Sequence, residues 1–239
     1  MSLKLQTYKK KFTHSYSFGP HATFELMAHR PENIKQIIIH SRSDKNAGVQ
    51  KIKDFCSKKG IKIETNDGLL RNLSGKDNMY VAGIFTKFPS PISAQENHVA
   101  LVEPSGTGNL GTIIRTMVGY GVKNLAIIRP GVDIFDPKVI RASMGAVFHI
   151  QFEYFDSIAQ YRDRFENHLY SFMTDGEQTL QNVVFEKPYT LIFGNESSGL
   201  PSSYKKISTP VRIQQSPDID SLNIAVSVGI GLYESFLKK

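Results

Sequence analysis

The chain has 239 residues, 40% of them apolar and 21% charged, with a formal net charge of +7 and one cysteine. These values exclude a disordered chain, a collagen-like repeat and a disulfide scaffold, and the lone Cys56 has no CxxC partner for zinc. The longest apolar runs, such as Ile37 to Ile39 and Leu191 to Phe193, are far short of the roughly 20 residues of a membrane span, and no apolar run follows the basic start, so a soluble, cytoplasmic protein is expected.

At roughly 150 residues per domain, the length fits two modest domains. Charge separates them: residues 1–92 carry 16 Lys and Arg against 7 Asp and Glu, whereas residues 93–239 carry 13 against 15. A basic module joined to a near-neutral one suggests that the first part meets a polyanion. The run Lys9-Lys10-Lys11-Phe12, with Tyr16 and Phe18, reads either as an arm that binds phosphates and stacks on bases or as a frayed terminus. A helix is expected from Pro20 to Arg30, stopped by Pro31, then a strand from Gln36 to His40. A second helix spans Lys45 to Lys59, with Val49, Ile52, Phe55 and Cys56 on one face and Gly60 as C-cap. Ile61 and Ile63 mark a short strand, Gly68 to Leu73 a helical turn, and Met79 to Thr86 a closing strand. Pro89 and Pro91 interrupt any regular pattern, which puts a linker near 88–96 and domains at 1–90 and 95–239.

The second part alternates strands at 98–103, 124–129, 147–152, 169–174, 189–194 and 209–213 with helices near 109–120, 136–144, 156–167 and 221–237. This order argues an α/β domain with a mostly parallel sheet covered on both faces. Gly229 and Gly231 are costly inside the last helix unless something packs closely there. The segment Gly106-Thr107-Gly108-Asn109-Leu110-Gly111 matches GxGxxG between a strand and a helix, with Arg129 and Asp133 about 20 residues on, which keeps an NAD(P)-dependent oxidoreductase open. His21, His149 and His168 have no metal-like spacing, and no metal site is expected.

Three separated segments fit another pattern together. Asn109-Leu110-Gly111-Thr112-Ile113-Ile114-Arg115, Leu191-Ile192-Phe193-Gly194-Asn195-Glu196-Ser197-Ser198-Gly199-Leu200-Pro201 and Ser221-Leu222-Asn223-Ile224-Ala225-Val226-Ser227 resemble, in order, the three motifs of the SpoU/TrmH-type RNA 2′-O-ribose methyltransferases of the SPOUT superfamily. Gly19-Pro20-His21 and the run to Thr86 resemble the ribosomal-protein-like RNA-binding module that many of these enzymes carry. The resemblance implies a deep trefoil knot in the C-terminal domain, a homodimer, S-adenosylmethionine as cofactor and RNA as substrate, with ribosomal RNA favoured over transfer RNA. It places the cofactor at Phe172, Met173, Gly194, Glu196, Ile213, Ser221 and Leu222, and the chemistry at Arg115, Asn109, Glu196, Ser221 and Asn223.

Each of these residues also has a plainer reading. Asn109 could cap its helix or bond the ribose, and Ser221 could be a helix N-cap. Glu196 could fix its loop through backbone N–H groups or contact Arg115 or the cofactor, while Gly194 and Gly199 serve backbone shape. A guanidinium stays protonated, so Arg115 is expected to hold a phosphate and stabilise developing negative charge rather than act as a base. Two departures stand out: Gln214-Gln215 follow Ile213 where the family commonly has Ile-Pro-Met, and Asn78-Met79-Tyr80 replaces a frequent His-Gln-Gly. A catalytically silent RNA-binding protein is the non-enzymatic alternative.

Overall fold

A computed structural model describes residues 5–238, so the parts of the expected domains at 1–4 and 239 lie outside the described residues. Contacts divide the chain into two compact units, one of Met1–Phe88 with Asp133–His149, the other of Pro89–Val132 with Ile150–Lys239. The segment 133–149, which sequence reading assigns to the second domain, belongs with the first unit.

In the first unit, β1 (His14–Phe18), β2 (Ile34–Ile39), β3 (Ile63–Thr65) and β4 (Val81–Thr86) form a sheet in the order β1-β4-β2-β3. The alternation of side chains along β2 sorts the core. Ile38 joins Tyr16, Leu70, Leu73 and Ile84 on one face, while Ile37 and Ile39 join Met27, Val49, Ile52 and Cys56 on the other. Burial pushes the Cys56 thiol up to about 11, so it is an inert core residue. The helices that cover the sheet are bounded by local chemistry. In α1 (Pro20–His29), Pro20 sits in the first turn after Gly19. Asn46 caps α2 (Ala47–Lys59) by accepting the Val49 N–H, and Gly60 ends it at φ 66°. Asn66 and Gly75 do the same for α3 (Asp67–Ser74).

Strand β1 corrects the expectation of a basic arm with aromatics offered to bases. Tyr16 is fully buried, stacks on Phe18 and donates its hydroxyl to the Gln6 carbonyl at 2.7 Å. The returning segment packs nearby, with Ser15 Oγ donating to the Phe135 carbonyl at 2.5 Å and Phe135 and Phe148 set against Phe85 and Phe88.

The second unit holds a seven-stranded sheet in which every pairing is parallel. Its strands are β5 (His98–Val102), β6 (Asn124–Ile128), β7 (Gln151–Phe155), β8 (His168–Phe172), β9 (Gln178–Thr179), β10 (Tyr189–Phe193) and β11 (Thr209–Arg212), in the order β7-β6-β5-β10-β8-β11-β9. Expected strand 147–152 is shifted: Ala146–His149 is a 3₁₀ turn and pairing starts at Gln151. A short apolar run such as Ala146-Val147-Phe148 does not distinguish a buried turn from a strand. The helix expected at 156–167 shortens to α6 (Ile158–Arg162), after α4 (Thr107–Gly119) and α5 (Pro137–Ala142), the last belonging to the first unit. The proline-containing linker is not free chain, because Ser90 accepts the Phe152 N–H at 2.6 Å and Ser93 N–H donates to Asn124 at 2.9 Å. The final helix, α7 (Ile224–Leu237), packs on α4. Among the described residues no helix is long and apolar enough to cross a membrane.

Candidate active site

In a parallel sheet the loops after the C-terminal strand ends converge, and ligands bind in the crevice they form. Here the loops after β5, β8, β10 and β11 enclose a cavity of about 650 Å³, within the usual range for small-molecule sites. Phe172, Met173, Gly194, Glu196, Ile213, Ser221 and Leu222 all line it, together with Asn109 and Asn223.

Side chains from the three motifs meet there. Glu196 accepts the Ser105 N–H at 3.1 Å, the Ser105 hydroxyl at 2.9 Å and the Gly106 N–H at 3.0 Å. Asn109 Nδ2 donates to Glu196 at 3.3 Å, and Asn223 Nδ2 donates to Asn109 Oδ1 at 3.2 Å. Asn223 in turn accepts the Ala225 N–H at 2.9 Å and caps α7. One hydrogen-bonded chain thus joins motif two, through motif one, to motif three. Burial alone would raise the Glu196 pKa, but bonds from its own backbone N–H, Ser105 and Gly106 outweigh it and hold the carboxyl below its ordinary value.

The same geometry resolves several alternatives. Glu196 fixes its loop to the start of α4 and makes no ion pair with Arg115 among the described residues. Asn109 does not cap: α4 begins at Thr107 after Gly106, and the Asn109 amide faces Glu196 and Asn223 instead. Ser221 is not the N-cap of α7 either, since Asn223 holds that position. Gly194 is required by shape, because a Cβ there would overlap the backbone of Gly199 and Leu200.

Arg115 is not brought into the cavity. It stands exposed six residues beyond Asn109, about 9 Å along the axis of α4, and among the described residues its side chain forms no hydrogen bond or ion pair. Sequence reading missed Ser105, which spends both its N–H and its hydroxyl on Glu196, and Asp175, a cavity residue paired with Lys205 at 2.6 Å. Neither residue carries a spacing signal, since their partners lie 91 and 30 residues away.

The GxGxxG loop acquires a different meaning. The helix N-terminus that would receive a dinucleotide pyrophosphate already holds the Glu196 carboxylate on the Gly106 N–H. Arg129 pairs with Asp156 at 2.9 Å and Asp133 with Lys87 at 3.1 Å, so both ribose-reading candidates are engaged elsewhere. Gly231 explains its place in α7: a Cβ would lie 2.8 Å from Phe172, whose ring stacks on Phe193 at 4.4 Å. At Gly229 a Cβ would meet only Thr116 at 3.8 Å, so packing within the chain does not demand that glycine.

Residues 96–233 match the SpoU rRNA Methylase family model. An uncharacterized tRNA/rRNA methyltransferase of Synechocystis sp. is 35% identical over 132 residues, 54% of this chain and 48% of that relative, so the alignment spans about half the relative's length. The 23S rRNA (guanosine-2′-O-)-methyltransferase RlmB of Nitrosomonas europaea is 27% identical over 94% of this chain and 92% of its own. Among solved structures, the AdoMet-bound rRNA methyltransferase of Sinorhizobium meliloti superposes with a TM-score of 0.79 at 27% identity, covering 93% of this chain and 87% of that one.

Proposed function

The chain belongs to the SpoU rRNA Methylase family, and on that premise we propose that it transfers the methyl group of S-adenosylmethionine to a ribose 2′-hydroxyl of structured RNA, ribosomal RNA being favoured over transfer RNA. The observation that carries this reading is the Glu196–Asn109–Asn223 chain, which ties the three motifs together around one cavity at the C-terminal strand ends. The residues fit the cofactor: the cavity combines apolar surfaces at Phe172, Ile213 and Leu222 with polar groups at Glu196 and Ser221, and the Gly194–Gly199 crossing gives a loop whose backbone can approach a ligand closely. When bound, S-adenosylmethionine supplies an electrophilic sulfonium methyl group.

The protein's own share of the chemistry is alignment and charge. A neutral 2′-hydroxyl is a poor nucleophile, so it must be held in line and relieved of its proton. The exposed Arg115 guanidinium, with no partner among the described residues, takes the neighbouring RNA phosphate and stabilises negative charge developing on the attacking oxygen, while the proton leaves to phosphate or water. Asn109 and Asn223 position the floor of the site, and Glu196 locks the loop after β10 to α4.

The basic first unit is the RNA-capturing part of this proposal, its charge excess in residues 1–92 supporting contact with phosphates. A homodimer is proposed as well, supported by the apolar residues Val226, Tyr233, Phe236 and Leu237 that α7 leaves exposed. The knot belongs to the same reading, supported by β10 inserting between β5 and β8 and by the crowding of residues 194–200 near the cavity. The setting is the cytoplasm. Calorimetric titration with S-adenosylhomocysteine, with NADPH in parallel, tests the cofactor. Saturable binding of the first alone, near one per chain, is expected, and binding of NADPH alone would overturn the proposal.

A further inference from the structure

Away from the cavity, the first unit gathers three metal-ligating side chains that chain spacing does not reveal. Glu25 and His29 lie one turn apart on α1, and His149 ends the returning segment Asp133–His149. Their donor atoms all lie within 4.8 Å of one another. Nε2 of His149 is 2.5 Å from Oε2 of Glu25, and Nε2 of His29 is 3.5 Å from the same oxygen. The two imidazole rings are tilted by 42° to each other, with centroids 3.7 Å apart.

The close approach is built into the backbone. Gly145 has φ +85°, and a Cβ there would fall 2.7 Å from Glu25 Cβ and 2.9 Å from Ala22 Cα. Only glycine lets the turn lie against α1 at this distance, and that places His149 opposite Glu25. Two ring nitrogens are thus directed at one carboxylate oxygen, and all three side chains are of types that ligate transition metals. A cation bound at about 2.0–2.2 Å from each donor sets neighbouring donors about 3.4 Å apart in a tetrahedron; the His29–Glu25 pair at 3.5 Å already has that spacing, and the His149–Glu25 pair at 2.5 Å opens by about 1 Å to admit the ion.

We propose that Glu25, His29 and His149 form a binding site for a zinc-class divalent transition metal, which clamps the returning segment to α1. Imidazole and carboxylate donors suit zinc and its late first-row neighbours rather than magnesium or calcium. The side chains are 37%, 40% and 23% exposed, which leaves the fourth coordination position to water. One carboxylate between two neutral imidazoles supplies a single negative charge, enough to offset half that of the ion.

The test titrates the full chain, stripped with a chelator, with zinc chloride and separately with magnesium chloride in a calorimeter. Zinc should bind saturably at one per chain with a micromolar or lower Kd and raise the midpoint of thermal unfolding, and magnesium should do neither. His149→Gln and His29→Gln should each weaken zinc binding at least about tenfold, whereas His21→Gln, exposed on the first turn of α1, should leave it unchanged. Should His149→Gln fail to fold, the half-exposed His29 decides the matter. No saturable zinc binding by the parent, or equal binding by the parent and the His29 variant, would overturn the proposal.

Discussion

Replacing Glu196 by Gln probes the joint between two motifs with almost no change in volume. The carboxylate accepts two backbone N–H groups and one hydroxyl at the start of α4, at 3.0, 3.1 and 2.9 Å. Hydrogen bonds to a charged group contribute about 1.5–3 kcal/mol each when well buried, and a negative charge at a helix N-terminus adds about 0.3–1 kcal/mol. The group is half-buried and the Gln carbonyl replaces one acceptor, so the loss should be about 1–2 kcal/mol. If that loss falls on the closed form of the loop, affinity for S-adenosylhomocysteine drops about 5–30-fold. The pH dependence has a definite sign. Because the folded-state pKa of Glu196 is held below its ordinary value, its stabilisation is present above the unfolded pKa and is lost as pH falls through the folded one. The stability gap between parent and Glu196→Gln, measured by urea unfolding, should therefore be full at pH 7 and shrink in acid. A variant with unchanged cofactor affinity and a pH-independent gap would refute the reasoning.

Other expectations follow from single contacts. Gly194→Ala drives a methyl into the backbone of Gly199 and Leu200 and should cost at least about 1–3 kcal/mol of stability along with cofactor binding, seen by thermal unfolding and calorimetry. Val226→Asp, on the exposed apolar stripe of α7, should convert a dimer to a monomer in light scattering, and an unchanged mass would remove α7 from the interface. Buried His98 lies 2.6 Å from both Tyr161 Oη and the Ser93 carbonyl, and burial lowers its pKa from 6.5. The unfolded state then binds the proton more tightly, so stability should fall as pH drops below about 6.5, and the slope should flatten in His98→Leu.

The sequence carried the fold where local signals agree with packing. Gly60 marked the end of α2, and the strand–helix alternation after residue 97 announced a parallel sheet. It was silent where tertiary burial overrides pattern. His14-Ser15-Tyr16-Ser17-Phe18 follows a lysine run and reads as an arm, yet both faces of β1 are covered and it pairs with β4. The segment 133–149 joins the first unit through Ser15, Lys87 and Phe88, contacts spanning 46 to 120 residues that no local period encodes. At the site, the motif residues lining the cavity were legible as motif positions, but their bonds were not. Asn109 as the link between Glu196 and Asn223 depends on loops 87 and 114 residues away. The glycine-rich loop left an oxidoreductase open for a related reason, since the carboxylate that fills its helix end comes from motif two.

The central claim is methyl transfer to a ribose hydroxyl with Arg115 at the reacting oxygen. The most direct measurement incubates the protein with methyl-labelled S-adenosylmethionine and ribosomal RNA, digests the RNA and identifies the labelled nucleoside, with Arg115→Ala in parallel. Label should appear as a 2′-O-methylnucleoside with the parent. The Arg115 variant should bind S-adenosylhomocysteine normally yet turn over about 10²–10³-fold more slowly, the loss expected for one preorganised donor. Label on a base, or full turnover by Arg115→Ala, would contradict the account.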